Sequence, residues 1–307
     1  MDTIGFDFGC CNLKTSEGII IPSQLTTADD YLITTGYEIE FNNQLFIIGE
    51  GNYDTNLNKT KRVNLLPMMC LALGLSTKEQ FVRVVTGLPI GQYKTQKEDL
   101  LKIIEDNKIL EFKLNGEKRE LYISDAAVFP EGVATYYSLE YEKRKKLSTK
   151  ELIVLDIGGR TTDIALLKAG KKRSVSKSTS LDVGMLNIYT DLINEINSTY
   201  TLGLEIENAE DIIKNGLEID GEKKDISFLK PIIKRNIEKV FKELNISYPA
   251  RIAPILVTGG GGANAALNSF NKVLLANHIK TCVADDIRAG KDETIDELLN
   301  TLQKLMK

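Results

Sequence analysis

The chain has 307 residues and a formal net charge of −4 at pH 7, with 42% hydrophobic and 27% charged residues. This composition excludes a wholly disordered or fibrous protein, and the length allows two domains that each bury a core. The acidic balance argues against direct binding of DNA, and the lack of a long apolar window argues against a membrane partner, so we expect a cytoplasmic protein.

The first half of the chain opens with strand patterns and continues with mixed strands and helices. Apolar alternation predicts strands at residues 3–8, 13–16, 18–22, 37–41, 44–48 and 81–89. Helical periodicity predicts helices at residues 64–73, 76–80 and 93–106. Asn42-Asn43 and Asn115-Gly116 indicate tight turns. The polar segment 49–62 is predicted to be an exposed loop, with a subunit contact as the alternative. A further helix is predicted to begin near Pro130.

The second half repeats the plan of the opening segment. After a basic stretch at residues 143–150, residues 151–175 have the pattern of a strand, a glycine turn and two more strands. In both places an acidic residue closes the first strand, glycine follows, and the chain returns at once as a strand. Helical periodicity then predicts helices at residues 185–200, 208–215, 228–244 and 292–306, and strands are predicted at 254–258 and near 281.

The two acid–glycine turns suggest a site for phosphates. Backbone N–H groups in a glycine turn approach phosphate oxygens closely, whereas the carboxylates of Asp7 and Asp156 repel an anion unless a cation lies between them. Mg²⁺ meets this need because it binds through one or two carboxylates together with phosphates and waters. A third glycine cluster, at residues 259–262, follows an apolar strand pattern, and none of the three has the spacing of a P-loop or a dinucleotide fingerprint.

Four motifs together resemble those of a known superfamily. They are DFGCCNLK (7–14), VFPEG (128–132), DIGGRTTD (156–163) and TGGGG (258–262). In this order they resemble the first phosphate loop, the first connecting segment, the second phosphate loop and the adenosine loop of the actin-like ATPases. The segment VVTGLPIGQYK (84–94), with Asn12 and Lys14, is most similar to the bacterial plasmid-segregation actins of the ParM type.

The resemblance implies a two-lobed α/β fold, shared by actin, sugar kinases and heat-shock chaperones, in which each lobe has a mixed five-stranded sheet with flanking helices. Domain I would comprise residues 1–149, with the first phosphate loop and a small inserted subdomain at about 30–85, and the C-terminal helix 284–307 would complete it. Domain II would comprise residues 150–283, with the second phosphate loop and the adenosine loop.

The resemblance also implies roles for individual residues. The catalytic residues would be Glu131, which orients water, and Asp7 and Asp156, which hold Mg²⁺ largely through water. The bound nucleotide would be ATP or ADP, and GTP remains an alternative. The residues that would contact the nucleotide are Gly9, Cys10, Cys11, Asn12, Lys14, Gly158, Gly159, Arg160, Thr161, Thr162, Asp182, Gly184, Glu210, Lys214, Gly259, Gly260, Gly261 and Gly262.

Some of these residues also have an ordinary structural interpretation. Glu131 suits the first turn of a helix, where a carboxylate complements the helix dipole. Glu210 and Lys214 have the spacing of a surface ion pair on one helical face. The pair Cys10-Cys11 departs from the family pattern, because small hydroxyl residues are often found in that loop.

The function that the resemblance implies is a nucleotide-dependent, filament-forming ATPase that drives plasmid DNA segregation. Its partners would be further copies of the same chain and a plasmid-encoded DNA-binding adaptor. A metabolic kinase for a sugar or a short-chain acid, built on the same ATPase core, is the alternative. A cell-shape scaffold of the MreB type is a third interpretation, but the sequence shows no amphipathic helix before its first strand.

Overall fold

The computed structural model describes residues 1–27, 34–54, 56–139, 141–170, 173–259 and 281–283. The chain divides into two compact units, Met1–Glu131 and Gly132–Lys307. The domain bounds expected from the sequence stay a prediction, and the helix predicted at residues 284–307 lies outside the described residues. No helix within the described residues is long and apolar enough to cross a membrane.

Unit 1 is built on a ten-stranded sheet with the order β3-β2-β1-β8-β10-β9-β5-β6-β4-β7. The strands are β1 Asp2–Phe8, β2 Asn12–Thr15, β3 Ile20–Pro22, β4 Gln24–Thr27, β5 Tyr37–Phe41, β6 Gln44–Ile48, β7 Asn52–Tyr53, β8 Phe81–Leu88, β9 Ile109–Leu114 and β10 Glu117–Pro130. The helices are α1 Leu65–Ser76 and α2 Tyr93–Asp106, and α3 Glu131–Ser138 begins at the boundary with unit 2.

The long strand β10 explains why this sheet exceeds the five strands expected. Its first part pairs antiparallel with β9, and its second part pairs parallel with β8, with a shift of register between Ile123 and Asp125. The strands β3-β2-β1-β8-β10 form the expected mixed set. Because β10 also has a partner on its other edge, the sheet continues into the remaining five strands.

Helix α1 fills the core of unit 1. It is apolar on every side, and its residues from Met68 to Leu73 are almost inaccessible, as expected for a helix enclosed by other elements. The helix predicted at residues 76–80 is wrong, because α1 ends at Ser76 and Thr77 is extended. The Arg119 guanidinium donates hydrogen bonds to the carbonyl oxygens of Gly74 and Thr77, at 2.9 and 2.6 Å, and so stabilises the end of the helix.

Unit 2 has a five-stranded sheet with the order β13-β12-β11-β16-β17. The strands of this unit are β11 Leu152–Ile157, β12 Thr162–Leu167, β13 Val175–Leu181, the small hairpin β14 Leu217–Ile219 and β15 Glu222–Lys224, β16 Ile255–Thr258 and β17 Thr281–Val283. The helices wholly within it are α4 Tyr141–Leu147, α5 Met185–Tyr200, α6 Ala209–Asn215 and α7 Leu229–Ser247.

The repeat noticed in the sequence is confirmed by the strand pairing. In unit 2, β13–β12 and β12–β11 are antiparallel, while β11–β16 and β16–β17 are parallel. In unit 1, β3–β2 and β2–β1 are antiparallel, while β1–β8 and β8–β10 are parallel. The strands β1 and β11, which carry Asp7 and Asp156, therefore occupy corresponding places in their own sheets, since each is the third strand from one edge.

The burial of α1 leads to a stability prediction. Leu73 is fully buried, so we expect Leu73→Ala to lower the free energy of unfolding by about 2–5 kcal/mol through lost contacts and a residual cavity. Val63, which is 79% exposed, provides the control. Val63→Ala should change the free energy of unfolding by less than about 0.5 kcal/mol. Urea unfolding followed by far-UV circular dichroism measures both, and equal midpoints would contradict the prediction.

Candidate functional site

The first candidate loop is the turn that joins β1 to β2. Its N–H at Gly9 donates a 3.1 Å hydrogen bond to the carbonyl oxygen of Asn12, which closes the turn. Asp7 lies opposite Lys14 in the antiparallel register, so a carboxylate and an ammonium group flank the turn. Asn12 is buried, as are both cysteines of the turn, which packs against the core of unit 1.

Lys59, which the sequence did not single out, provides a cation at this loop. Its side chain is only 4% exposed, and its Nζ lies 2.9 Å from Asp7 Oδ1 and 2.5 Å from Glu131 Oε1. A short 3₁₀ turn, Lys59–Lys61, carries it. The Oδ1 atom of Asn58 accepts hydrogen bonds from the backbone N–H and the hydroxyl of Thr60, at 3.0 and 2.7 Å, and this cap fixes the turn.

Arg62 anchors the same segment to the loop. Its guanidinium donates to the carbonyl oxygen of Phe8 at 2.9 Å, to Cys10 Sγ at 2.8 Å and to the carbonyl oxygen of Asn56 at 2.9 Å. The prediction of an exposed loop at residues 49–62 is therefore wrong at Lys59 and Arg62. Both charges are buried because each has partners that replace its hydration.

The carboxylate of Glu131 is constrained from two sides. Lys59 binds its Oε1 atom, and Gly87 on β8 lies beneath its side chain. A Cβ atom added at Gly87 would fall 2.6 Å from Glu131 Cγ, closer than real Cβ contacts allow. Glu131 also begins α3, so its place in the first turn of the helix and its ion pair with Lys59 occur together.

These ion pairs change the pKa values of the groups involved. Burial alone would raise the pKa of Asp7, but the neighbouring Lys59, with Lys14 and Arg62, holds it below the ordinary value of 3.8. Burial alone would lower the pKa of Lys59, but the charges of Asp7 and Glu131 raise it above its ordinary value. Asp7 and Lys59 are therefore both charged at neutral pH.

The second candidate loop, in unit 2, joins β11 to β12. The N–H of Gly158 donates a 2.8 Å hydrogen bond to the carbonyl oxygen of Thr161, which closes this turn as Gly9 closes the first. Asp156 lies opposite Asp163 on β12 and opposite Thr258 on β16. Both candidate loops thus have an acidic residue two positions before a turn-closing glycine.

Further contacts hold this loop on its own unit. Arg160 forms an ion pair with Asp182 at 2.8 Å, and the hydroxyl of Thr162 donates to the carbonyl oxygen of Val183 at 2.6 Å. At the start of α5, the N–H groups of Met185 and Leu186 donate to the carbonyl oxygens of Gly158 and Gly159, at 3.1 and 2.8 Å.

Gly184 allows this close approach of helix and loop. An added Cβ atom would fall 2.7 Å from the carbonyl carbon of Arg160 and closer still to the carbonyl oxygen of Gly159. Both are backbone atoms, which cannot move aside as the end of a flexible side chain would. Only glycine therefore fits between α5 and the loop.

The remaining candidates are Gly259, the pair on α6 and the glycines that follow Gly259. Gly259 follows β16 and lies so close to the carbonyl oxygen of Ile157 that a Cβ atom has no room. Glu210 and Lys214, on α6, form an ion pair with each other at 2.8 Å, which agrees with their ordinary interpretation. Gly260, Gly261 and Gly262 lie outside the described residues.

The polar groups at this site suit the binding of phosphates and a hydrated metal ion better than a metal site whose ligands all come from the protein. Unit 1 presents an amide at Asn12, an ammonium at Lys14 and a carboxylate at Asp7 that is 42% exposed. Among the described residues, no group of three or more His, Cys, Asp and Glu side chains is arranged to hold a metal ion. Mg²⁺ does not need such a group, because phosphates and waters supply most of its ligands.

Comparisons with protein families match both halves of the chain. Residues 5–133 match the family model for the N-terminal domain of actin-like proteins. Residues 154–271 match the model for the C-terminal domain of the MreB-like archaeal actin homologue. Residues 262–304 match a model for metal-sensitive transcriptional repressors, and of these only 281–283 are described. No curated protein matches the chain by sequence.

Solved structures are similar over almost the whole chain. A 15-stranded ParM filament from Clostridium botulinum is 20% identical, with a TM-score of 0.75 and coverage of 98% of this chain and 99% of that one. An archaeal actin homologue in complex with ADP is 18% identical, with a TM-score of 0.75 and full coverage of both chains. The actin-like protein Alp7A is 16% identical, with a TM-score of 0.68 and coverage of 99% and 97%. The chain shares the fold of these proteins.

Gly184 provides a test of the contact between α5 and the second loop. We expect Gly184→Ala to lower the free energy of unfolding by about 1–3 kcal/mol, because the methyl group meets fixed backbone atoms. Gly203 is the matched control, since an added Cβ meets nothing within 4 Å there. Thermal unfolding measures both variants, and a Gly184→Ala protein as stable as Gly203→Ala would refute the close packing.

The ion pair between Asp7 and Lys59 predicts a pH-dependent stability. Because the pKa of Asp7 is lowered on folding, its contribution is present above pH 3.8 and is lost as the pH falls through the lowered value. We expect Lys59→Met to lower the free energy of unfolding at pH 7 by roughly 1–3 kcal/mol. Removing one partner of a fully buried ion pair would lower it more, but Asp7 is partly exposed to water.

This loss should shrink as the pH falls from about 3.8 through the lowered pKa of Asp7, because protonation of that carboxylate removes its charge from the ion pair. Urea unfolding of the wild type and the variant from pH 7 to pH 3 measures the difference. Lys61→Met, on the exposed side of the same turn, is the control. A loss that stays constant over this pH range would show that the ion pair does not contribute.

Proposed function

The chain belongs to the actin-like proteins, and we propose that it is a Mg-dependent ATPase. We further propose that it assembles into filaments and that these filaments segregate plasmid DNA through a DNA-binding adaptor. One observation carries the proposal. The same acid–glycine turn follows the corresponding strand of each unit's sheet, β1 in unit 1 and β11 in unit 2, so the chain contains two loops of the kind that bind phosphates.

In the first loop, the proposed roles follow from the donors of unit 1. The ammonium of Lys14 would bind the β- and γ-phosphates, and the amide of Asn12 would donate to a phosphate oxygen. The carboxylate of Asp7 would hold the hydrated Mg²⁺, together with Asp156 of unit 2. When bound, the metal ion neutralises charge on the phosphates, which is a large part of what phosphoryl transfer requires.

In unit 2, backbone N–H groups would bind the same phosphates from residues 158–162. The ion pair between Arg160 and Asp182 and the fit of Gly184 against the loop support a fixed loop conformation. We assign Glu210 and Lys214 to the ribose and base, and the cluster 259–262 to the adenosine. ATP is the proposed nucleotide, and GTP is tested beside it.

Glu131 is the proposed water-orienting residue. It stands at the corner between β10 and α3, and Lys59 keeps its carboxylate close to that of Asp7. A carboxylate held in this way accepts a proton from an attacking water, a contribution of about 10²–10⁴-fold in rate for a well-placed general base.

Self-assembly and the adaptor rest on different support. One structure with this fold is a ParM filament, which supports polymerisation, and another holds ADP, which supports a nucleotide site. The net charge of −4 supports an adaptor rather than direct contact with DNA. Nucleotide would control assembly by favouring the subunit conformation that fits the polymer, as in any two-state equilibrium.

Light scattering, electron microscopy and phosphate release test this proposal together. We expect Mg·ATP to cause assembly into filaments with release of phosphate, and Glu131→Gln to assemble while phosphate release falls by about 10²-fold or more. The variant's filaments should persist longer, since hydrolysis no longer weakens the subunit contacts. EDTA should abolish both signals, and Mg·GTP measures the nucleotide preference.

Two results would contradict the proposal. An absence of assembly over a wide range of protein concentrations, combined with phosphate transfer to a sugar or a short-chain acid, would favour the kinase alternative. Unchanged phosphate release by Glu131→Gln, with nucleotide still bound, would remove the role assigned to Glu131.

A further inference from the structure

We propose that Gly87 and Lys59 are positioning residues for Glu131: Gly87 leaves the space in which the Glu131 side chain lies, and Lys59 holds its carboxylate. The inference rests on the proposed function, because there Glu131 orients the attacking water. It adds a residue on a strand, Gly87, that acts on the reaction only through Glu131, and a residue on a 3₁₀ turn, Lys59, that acts through Glu131 and also binds Asp7.

Gly87 supplies the first constraint. It lies on β8 opposite Phe129 of β10, and Phe129 is two residues before Glu131 in the chain. With an added Cβ, the distances to Glu131 would be 2.6 Å at Cγ, 3.1 Å at Oε1 and 3.3 Å at Cδ. The close atoms all belong to the Glu131 side chain, so a methyl group at position 87 would displace that side chain and leave the strands in place.

Lys59 supplies the second constraint. Its Nζ lies 2.5 Å from Glu131 Oε1 and 2.9 Å from Asp7 Oδ1, so one ammonium group joins the two carboxylates. The Lys59 side chain is 4% exposed and follows a capped turn, so it is held in place. A glutamate with several rotatable bonds is thereby limited to one direction, which productive placement of a water molecule requires.

A purely structural interpretation makes a different prediction. If Gly87 and Lys59 only packed the corner between β8 and α3, their substitution would lower stability, but each folded molecule would turn over ATP at the normal rate. Positioning requires instead that kcat falls while nucleotide still binds. Once Glu131 has lost its role, the fall should disappear for Gly87 and become smaller for Lys59, which also binds Asp7.

Gly87→Ala is the main test because it changes no charge. We expect kcat for Mg·ATP to fall about 10–100-fold, with the Kd for Mg·ATP changed less than about threefold. In a Glu131→Gln background, Gly87→Ala should cause no further fall. Gly5→Ala is the matched control, since Gly5 lies on the neighbouring strand β1 and an added Cβ there has ordinary contacts of 3.5 Å or more.

Lys59→Gln repeats the test at the other constraint. It retains a hydrogen-bonding side chain without the charge. Because Lys59 also binds Asp7, only the part of its effect on kcat that acts through Glu131 should vanish, so the fall should be smaller in the Glu131→Gln background than in the wild type. Lys61→Met is its control. Losses that multiply in either double variant would overturn the positioning role of that residue, and an unchanged kcat in Gly87→Ala would overturn it for Gly87.

A measurement without nucleotide separates this inference from the proposed function. Gly87→Ala should lower the melting temperature of the wild type by a few degrees, and it should cause no such drop in a Glu131→Ala background, where the displaced side chain is absent. An equal drop in both backgrounds would show that Gly87 does not make room for Glu131. A wild type that binds Mg·ATP without hydrolysing it would overturn the proposed function and the catalytic part of this inference, and the melting temperatures would still decide the steric part.

Discussion

A single buried ammonium group organises the candidate site of unit 1. Lys59 connects Asp7, on the first strand, with Glu131, at the end of the last strand of the same unit. Burial of a cation is unfavourable unless anions and hydrogen bonds replace its hydration, and here the two carboxylates do so. The relation is mutual, because without Lys59 two acidic side chains would face each other. The geometry of the loop and that of the corner at Glu131 therefore depend on one another.

Local patterns in the sequence predicted much of the fold and the two hairpin turns of the candidate site. The helices α2 and α5, the turn at Asn115-Gly116 and the two acid–glycine hairpins follow from periodicity and turn residues within short windows. The α/β class is confirmed, as is the repeated plan of the two halves. The roles of Asp7, Asp156 and the glycine loops come from the family resemblance and stay proposals.

Contacts between distant residues explain what the sequence did not reveal. Lys59 is separated from Asp7 by 52 residues and from Glu131 by 72, so nothing near it in the chain marks it as buried. The one local signal is Asn58 followed by Thr60, a capping pattern that favours an ordered turn over an exposed loop. Similarly, Arg119 lies more than 40 residues from the end of α1 that it stabilises, and no short window of sequence reveals that contact.

The hydrogen bonds between the second loop and α5 have a mechanical consequence. Because the first N–H groups of the helix bind the carbonyl oxygens of Gly158 and Gly159, a rotation of these peptide planes that keeps the hydrogen bonds would tilt the helix axis. A helix of 16 residues is about 24 Å long, so a tilt of about 5° at the loop would move its far end, near Tyr200, by about 2 Å. A small tilt at the loop therefore corresponds to a larger displacement at the other end of α5, near Tyr200.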